Sequence, residues 1–354
     1  MALNNKQFYQ LVAFSSRQWP FLQPILPILD QAEIDASKID LTGPASTMWF
    51  NIIKRADSLN QLMKLLEVMV IKIPNNDHLK EIKADLAGAS FTAQVEHLKT
   101  EIRNGHCVLF LGPHFLKYSV GNENIPFSDL FMNELIESLE KYDISYDKTE
   151  TDNLSYLIDR FETRDLFVSG DTERKAKKIS EENDLNSGTF NRIRQLNFPL
   201  IINTNPDTTL ENLFPAYYST GFYDMSNSQS PPPVDNGKPF VYNIFGSFEN
   251  PASIIFTEKE AVDFTKNIYQ KNPPIPEFIR EIIRNRYGIF IGFDFKEWHL
   301  KILFNVLDLR NKPGNYAFTE MKSALLERNM EYYRRQYNMS FVKNDVYRLL
   351  VALQ

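Results

Sequence analysis

Residues 107–115 read Cys-Val-Leu-Phe-Leu-Gly-Pro-His-Phe, and the order of residue types in this stretch decides the fold. Cys107 to Leu111 is an unbroken apolar run, as in a strand covered on both faces, and Gly112 stops it. Just before it, Phe91, Val95, Leu98 and Ile102 recur at the spacing of one helical stripe, with Gly105 placed to end that helix. After Gly112 the sequence predicts a polar loop and then a helix over 127–142. Residues 198–203, Phe-Pro-Leu-Ile-Ile-Asn, repeat the pattern of a buried strand, followed by a polar corner and a short helix through Leu210 and Leu213. Further strands are expected at 216–219, 240–244, 253–256, 287–291, 316–318 and 340–342. Helices near 258–268, 274–285, 296–308, 320–336 and 345–353 alternate with them. Such alternation argues for an α/β fold, a Rossmann-like doubly wound parallel sheet that binds ligands beyond the carboxyl ends of its strands. Residues 145–196 are charged and carry no strand signal, and read as an inserted helical subdomain. Residues 226–237, which open Ser-Asn-Ser-Gln-Ser-Pro-Pro-Pro, read as a loop.

Residues 1–88 read as an all-α bundle. Met48, Trp49, Ile52, Ile53 and Ala56 form one helical stripe, which Ser46 or Thr47 can cap. Leu62, Leu65, Leu66 and Met69 mark another helix, Pro74-Asn75-Asn76 breaks the chain, and Leu79, Ile82 and Leu86 mark the last. The expected organisation is therefore a helical domain, 1–88, and an α/β domain, 89–354. Nine Lys/Arg balance nine Asp/Glu over 1–88, so the whole net charge of −6 lies in the second domain.

Composition narrows the function classes. At 43% hydrophobic and 24% charged residues, the chain has a globular balance. The acidic net charge argues against nucleic acid as a partner. A single cysteine, Cys107, excludes a disulfide framework and a cysteine-built zinc cage. No apolar run is long enough to span a membrane and no leader is recognisable, so a cytoplasmic protein with no membrane partner is expected. Only 13 of the 354 residues are glycine, which leaves few for a phosphate-cradling loop.

Two resemblances follow from longer stretches. Residues 41–82, LTGPASTMWFNIIKRADSLNQLMKLLEVMVIKIPNNDHLKEI, resemble the second half of a bacterial effector-associated domain, and the likeness extends over about 5–88. That family consists of death-domain-like adaptors. The resemblance implies a partner carrying a matching adaptor, self-association into an oligomer, or both, in a bacterial conflict system. Four strand-end segments, CVLFLGPHF at 107, LIINTNPDTTLENLF at 200, VYNIFGSFENPASIIFTEKEA at 241 and GIFIGFDFKEWHLKILF at 288, resemble in order and spacing the sirtuin-like family in its bacterial immune branch.

The second resemblance implies NAD or a related nucleotide as cofactor and cleavage of the nicotinamide–ribose bond. Asn205 falls on the family's ribose- and water-positioning asparagine, and Asp207 on the acid after it. The resemblance extends cofactor contact to Gly112, Pro113, His114, Thr204, Asn205, Gly246, Ser247, Gly292 and Asp294. Asn-Pro-Asp-Thr at 205–208 is equally a turn and helix cap. Three departures stand out. Where the family has His-Gly-Ser, this chain has Phe245-Gly246-Ser247, and loss of a general base costs about 10²–10⁴-fold. Where it has Gly-Ala-Gly, this chain has Gly112-Pro113-His114, which removes one N–H donor and adds bulk. Where it has Gly-Tyr-Ser, this chain has Gly292-Phe293-Asp294. His114 reads first as a plain surface or packing residue, with a phosphate contact or a substitute base as the other readings.

The sequence therefore predicts a degenerate sirtuin-like scaffold or regulatory subunit, with an active, NAD-depleting hydrolase as the alternative. Among the remaining motifs, Trp298-His299 reads as a packed aromatic beside a surface histidine. Arg174, Lys175, Lys177 and Lys178 read as a solvated helix face. Tyr332, Tyr333, Arg334, Arg335 and Tyr337 read as a helix end packed on the sheet, with stacking on a nucleotide as the other reading.

Overall fold

The structure, a computed structural model, describes residues 3, 5–59, 61–74, 76–121, 123–163, 168–226, 237–295, 298–319, 324–343 and 346–354. The chain divides into two compact units, Met1–Glu96 and His97–Gln354. The first holds α1 (Asn5–Gln18), α2 (Leu22–Gln31), α3 (Ala45–Ser58) and α4 (Leu62–Lys72). Helix α5 (Asp77–Arg103) is continuous where two helices were expected. The α3 stripe Met48, Trp49, Ile52, Ile53 and Ala56 is buried, with Leu65, Leu66 and Met69 of α4 in the same core. Trp49 donates its indole N–H to the Trp19 carbonyl at 3.1 Å, which pins the turn before α2 to the core. Pro44 rather than Ser46 or Thr47 occupies the N-cap of α3, because the helix starts two or three residues earlier than expected. Leu86 and Phe91 lie among the side chains outside the description.

The second unit is built on a seven-stranded parallel sheet in the order β10-β9-β8-β1-β5-β7-β6. Its strands are β1 (Cys107–Leu111), β5 (Leu200–Asn203), β6 (Ser219–Phe222), β7 (Phe240–Asn243), β8 (Tyr287–Ile291), β9 (Asn315–Thr319) and β10 (Met339–Lys343). The central strands β1, β5 and β7 are buried at every residue, as their unbroken apolar runs require. Phe110 and Phe290 stack across neighbouring strands at 4.3 Å between ring centroids, in one core with α11 (Glu258–Gln270), α12 (Glu277–Arg284), α13 (Trp298–Val306) and α14 (Ala324–Tyr337). The expected α/β class and doubly wound sheet are therefore present. The chain leaves β1 toward β5 and leaves β8 toward β9, so the strand order reverses between β1 and β8.

Four expectations need correction. The stretch after Gly112 is a hairpin, β2 (Lys117–Val120) with β3 (Glu123–Pro126), and α6 (Phe127–Lys141) begins only after it. The inserted segment contains α7 (Leu154–Glu162), α8 (Asp171–Glu182) and α9 (Ser187–Arg194), and also a strand, β4 (Asp184–Leu185), which pairs with β2. Residues 253–256 form no strand. Pro251 opens a 3₁₀ turn through Ser253, and the Ile255 N–H then bonds the Phe245 carbonyl instead of a sheet ladder. The strand expected at 216–219 lies at Ser219–Phe222, after α10 (Thr209–Leu213). Of the loop expected at 226–237, residues 227–236 lie outside the described residues. The chain closes with α15 (Val346–Leu353). Among the described residues, no helix is long and apolar enough to cross a membrane.

Candidate functional site

The sheet brings all four resembling segments to one edge, the carboxyl ends of β1, β5, β7 and β8. The first question there is where each backbone N–H goes, because a pyrophosphate is held mainly by such donors. In the loop after β1 none of residues 112–115 offers one outward. The Gly112 N–H bonds the Ile291 carbonyl at 2.8 Å, His114 the Gly292 carbonyl at 3.0 Å and Phe115 the Gly112 carbonyl at 3.0 Å. Pro113 has no N–H. The turn is therefore sewn to the loop after β8. A Cβ at Gly112 would lie 2.3 Å from the Gly292 carbonyl oxygen. One at Gly292, whose φ is +77°, would lie 2.6 Å from the Phe115 nitrogen. Glycine serves here to let two backbones touch each other.

The corner after β5 is equally self-contained. Thr204 directs both its N–H and its hydroxyl to the Leu111 carbonyl, at 2.9 and 2.8 Å. Asn205, 3% exposed, donates its side-chain amide to the Gly112 carbonyl at 3.0 Å and to Asn203 Oδ1 at 3.1 Å. Asp207 accepts from Asn203 Nδ2 at 3.1 Å and from the Thr209 N–H at 3.0 Å, a local turn bond that leads into α10. The corner is a network of buried amides and one carboxylate that fixes β5 to β1.

After β7, the Gly246 N–H bonds the Asn243 carbonyl at 3.3 Å and the Ser247 N–H bonds Ser253 Oγ at 3.0 Å. Gly246 holds φ +87°, and a Cβ there would meet the Ser253 carbonyl oxygen at 2.2 Å. The Phe245 ring is buried, packing edge-on against Phe264 at 5.3 Å and His299 at 5.4 Å. Beyond β8, Asp294 Oδ2 stands 3.9 Å from His114 Nε2.

Two residues that the sequence reading missed join this edge. His299, expected at the surface, is half-buried beside Phe245. Burial brings its imidazole down to about 4, while Asp294 pulls the other way, so the ring is neutral near pH 7 and a weak proton acceptor. Glu211 on α10 is half-buried, and desolvation, with a smaller contribution from Asp207, pushes its carboxyl up to about 8. Helical spacing marks neither residue as inward-facing. The burial comes from how the helices seat on the sheet.

The remaining motifs take structural places. Arg174 pairs with Asp171, Lys175 with Glu134, Lys177 with Glu181 and Lys178 with Glu182, on the helix face expected to be solvated. Tyr333 and Tyr337 are buried in the sheet core. No cluster of His, Cys, Asp or Glu suited to a metal ion occurs among the described residues.

The strand-end residues do not fit the pyrophosphate of a dinucleotide. The donors in the first loop are spent, and a hairpin stands where a helix N-terminus would face the phosphates. The architecture itself is nonetheless that of a nucleotide fold. Residues 199–342, from β5 to β10, match the family model described as the SIR2-like domain. The match takes in the corners at Asn205, Gly246 and Gly292 and supports the sirtuin-like reading of the second unit. No curated protein matches the chain.

Proposed function

We propose that this chain is a sirtuin-like nucleotide-fold protein that no longer turns over NAD. In this reading it serves a bacterial conflict system as a scaffold or regulatory subunit, coupled through residues 1–88 to a protein with a matching adaptor domain or to further copies of itself. The observation that carries the loss of turnover is the closed loop at 112–115, whose N–H groups are absent or bonded inside the protein. Phe245, which cannot take a proton, adds to it.

The competing reading, an NAD glycohydrolase, is favoured by one observation: the neutral ring of His299 lies 5.4 Å from that of Phe245, at the position where the family's base is missing. One experiment separates the two. The full chain is incubated with NAD at dilute and at high protein concentration, and nicotinamide release is followed. No release is expected from the native chain or from Phe245→His, since restoring a base leaves the phosphate loop closed. Release that disappears in both Asn205→Ala and His299→Ala would overturn the degenerate reading.

A further inference from the structure

The second unit carries a groove of about 740 Å³ walled by α11, α13 and α14, with Trp298 on its lining packed against His299. Sites for small ligands fall in the range of roughly 300–1,000 Å³. Lys266, Lys301 and Arg310 line it, and among the described residues no acidic side chain does. None of these three cations has a carboxylate partner among the described residues. Other cations of the same region are paired, Arg334 and Arg335 with Glu331 and Arg280 with Glu277.

Two of the three are each braced on one ring of a tyrosine pair. The rings of Tyr332 and Tyr337 lie 6.1 Å apart; the Lys301 ammonium sits 5.0 Å from the first and the Arg310 guanidinium 5.8 Å from the second. Tyr337 also donates its hydroxyl to the Lys301 carbonyl at 3.0 Å, which ties α14 to α13 at this point. Two positive charges on the wall of one groove favour an anion that reaches both. The same groove exposes flat apolar surface, with Tyr269 at 73% and Trp298 at 39% exposure. Paired cations beside exposed aromatic rings match a ligand that has both clustered negative charge and a planar base.

We propose that this groove binds a nucleoside diphosphate, with the diphosphate between Lys301 and Arg310 and the base stacked on Trp298 or Tyr269. The proposal is independent of the strand-end site and of whether NAD is cleaved there.

The test titrates the full chain with ADP, followed by calorimetry and by tryptophan fluorescence. Trp19 and Trp49 are buried in the first unit, so quenching on binding reports Trp298. ADP is expected to bind and to quench. Adenosine is expected to bind at least tenfold more weakly, and Lys301→Gln with Arg310→Gln to weaken ADP at least tenfold. Trp298→Phe is expected to remove the quench, and His114→Ala, at the strand ends, to leave affinity unchanged. Should the double variant unfold, Lys266→Glu takes its place, since that side chain is exposed on the groove wall. Three results would each overturn the proposal: no ADP binding at millimolar concentration, adenosine binding as tightly as ADP, or binding lost in His114→Ala but kept in the groove variants. Binding of an acidic peptide without binding of ADP would also overturn it.

Discussion

Phe245 shows what one residue can and cannot reveal. Its departure from the sirtuin-like pattern was legible because Gly246 and Ser247 keep the frame in which that family has histidine. Its new surroundings were not, because His299 reaches it from a helix whose seating depends on the whole sheet. Lys312 was equally silent in the sequence. Its ammonium is buried without a hydrogen-bond partner, 5.5 Å from the Phe110 ring, and desolvation brings it down to about 7 from the usual 10.5. An unfolded lysine stays protonated up to that usual value. Between pH 7 and 10.5 the unfolded chain therefore holds more protons at this group than the folded one, and its contribution makes stability rise with pH. Glu211 acts with the opposite sign below its folded value of about 8, and the Cys107 thiol and the tyrosine hydroxyls that burial pushes up do so above about pH 9, so the lysine dominates in the window from pH 8 to 9. Urea denaturation at those two pH values should show a gain on the order of 1 kcal/mol in the native chain. Lys312→Met should flatten that gain and raise stability at pH 8. An unchanged slope would mean that the lysine is charged and solvated in the folded state.

At the scale of elements, strands were easier to read than the joints between them. Cys107–Leu111, Leu200–Asn203 and Tyr287–Ile291 announce themselves as apolar runs because both faces of the sheet are covered. The β2–β3 hairpin did not, since its residues are only partly buried and its pairing with Asp184–Leu185 comes from a distant segment. Residues 253–256 failed in the other direction, because an apolar run is buried here under the β7 loop without joining the ladder. The glycines behave likewise. The sequence placed Gly112 and Gly292 at strand ends but could not show that they face each other. That contact predicts an outcome. Gly292→Ala puts a Cβ against the backbone nitrogen of Phe115 at a residue with positive φ, and neither side can yield cheaply. A loss of about 2–4 kcal/mol in chemical denaturation is expected. Alanine at Gly237, which also has positive φ but nothing within 4 Å, should cost only about 1 kcal/mol from backbone strain. Equal costs at the two positions would show that the closed loop contributes nothing beyond the backbone angle.

At the scale of the molecule, the two units divide the work that the proposed function requires: one retains a nucleotide fold with a closed loop, and the other is free to recognise a protein. The first unit has its own core around Trp49, Leu65 and Met69, so its outer residues are available without unfolding it. Among them Phe21 is 71% exposed, and Leu22 and Leu26, one helical turn apart on α2, are each 39% exposed. Apolar side chains gathered on one side of a small bundle are an association surface in the making. If adaptor pairing runs through α2, the full chain should form oligomers at tens of micromolar in light scattering. Leu22→Glu with Leu26→Glu should reduce it to a monomer with an unchanged helical signal. Deleting the whole segment 1–88 is a poorer test, because the cut falls inside α5 and destabilises both sides of it. An oligomer that survives the double charge insertion would move the association surface away from α2. A native chain that stays monomeric at every concentration would leave a matching adaptor on another protein as the only partner this unit can serve.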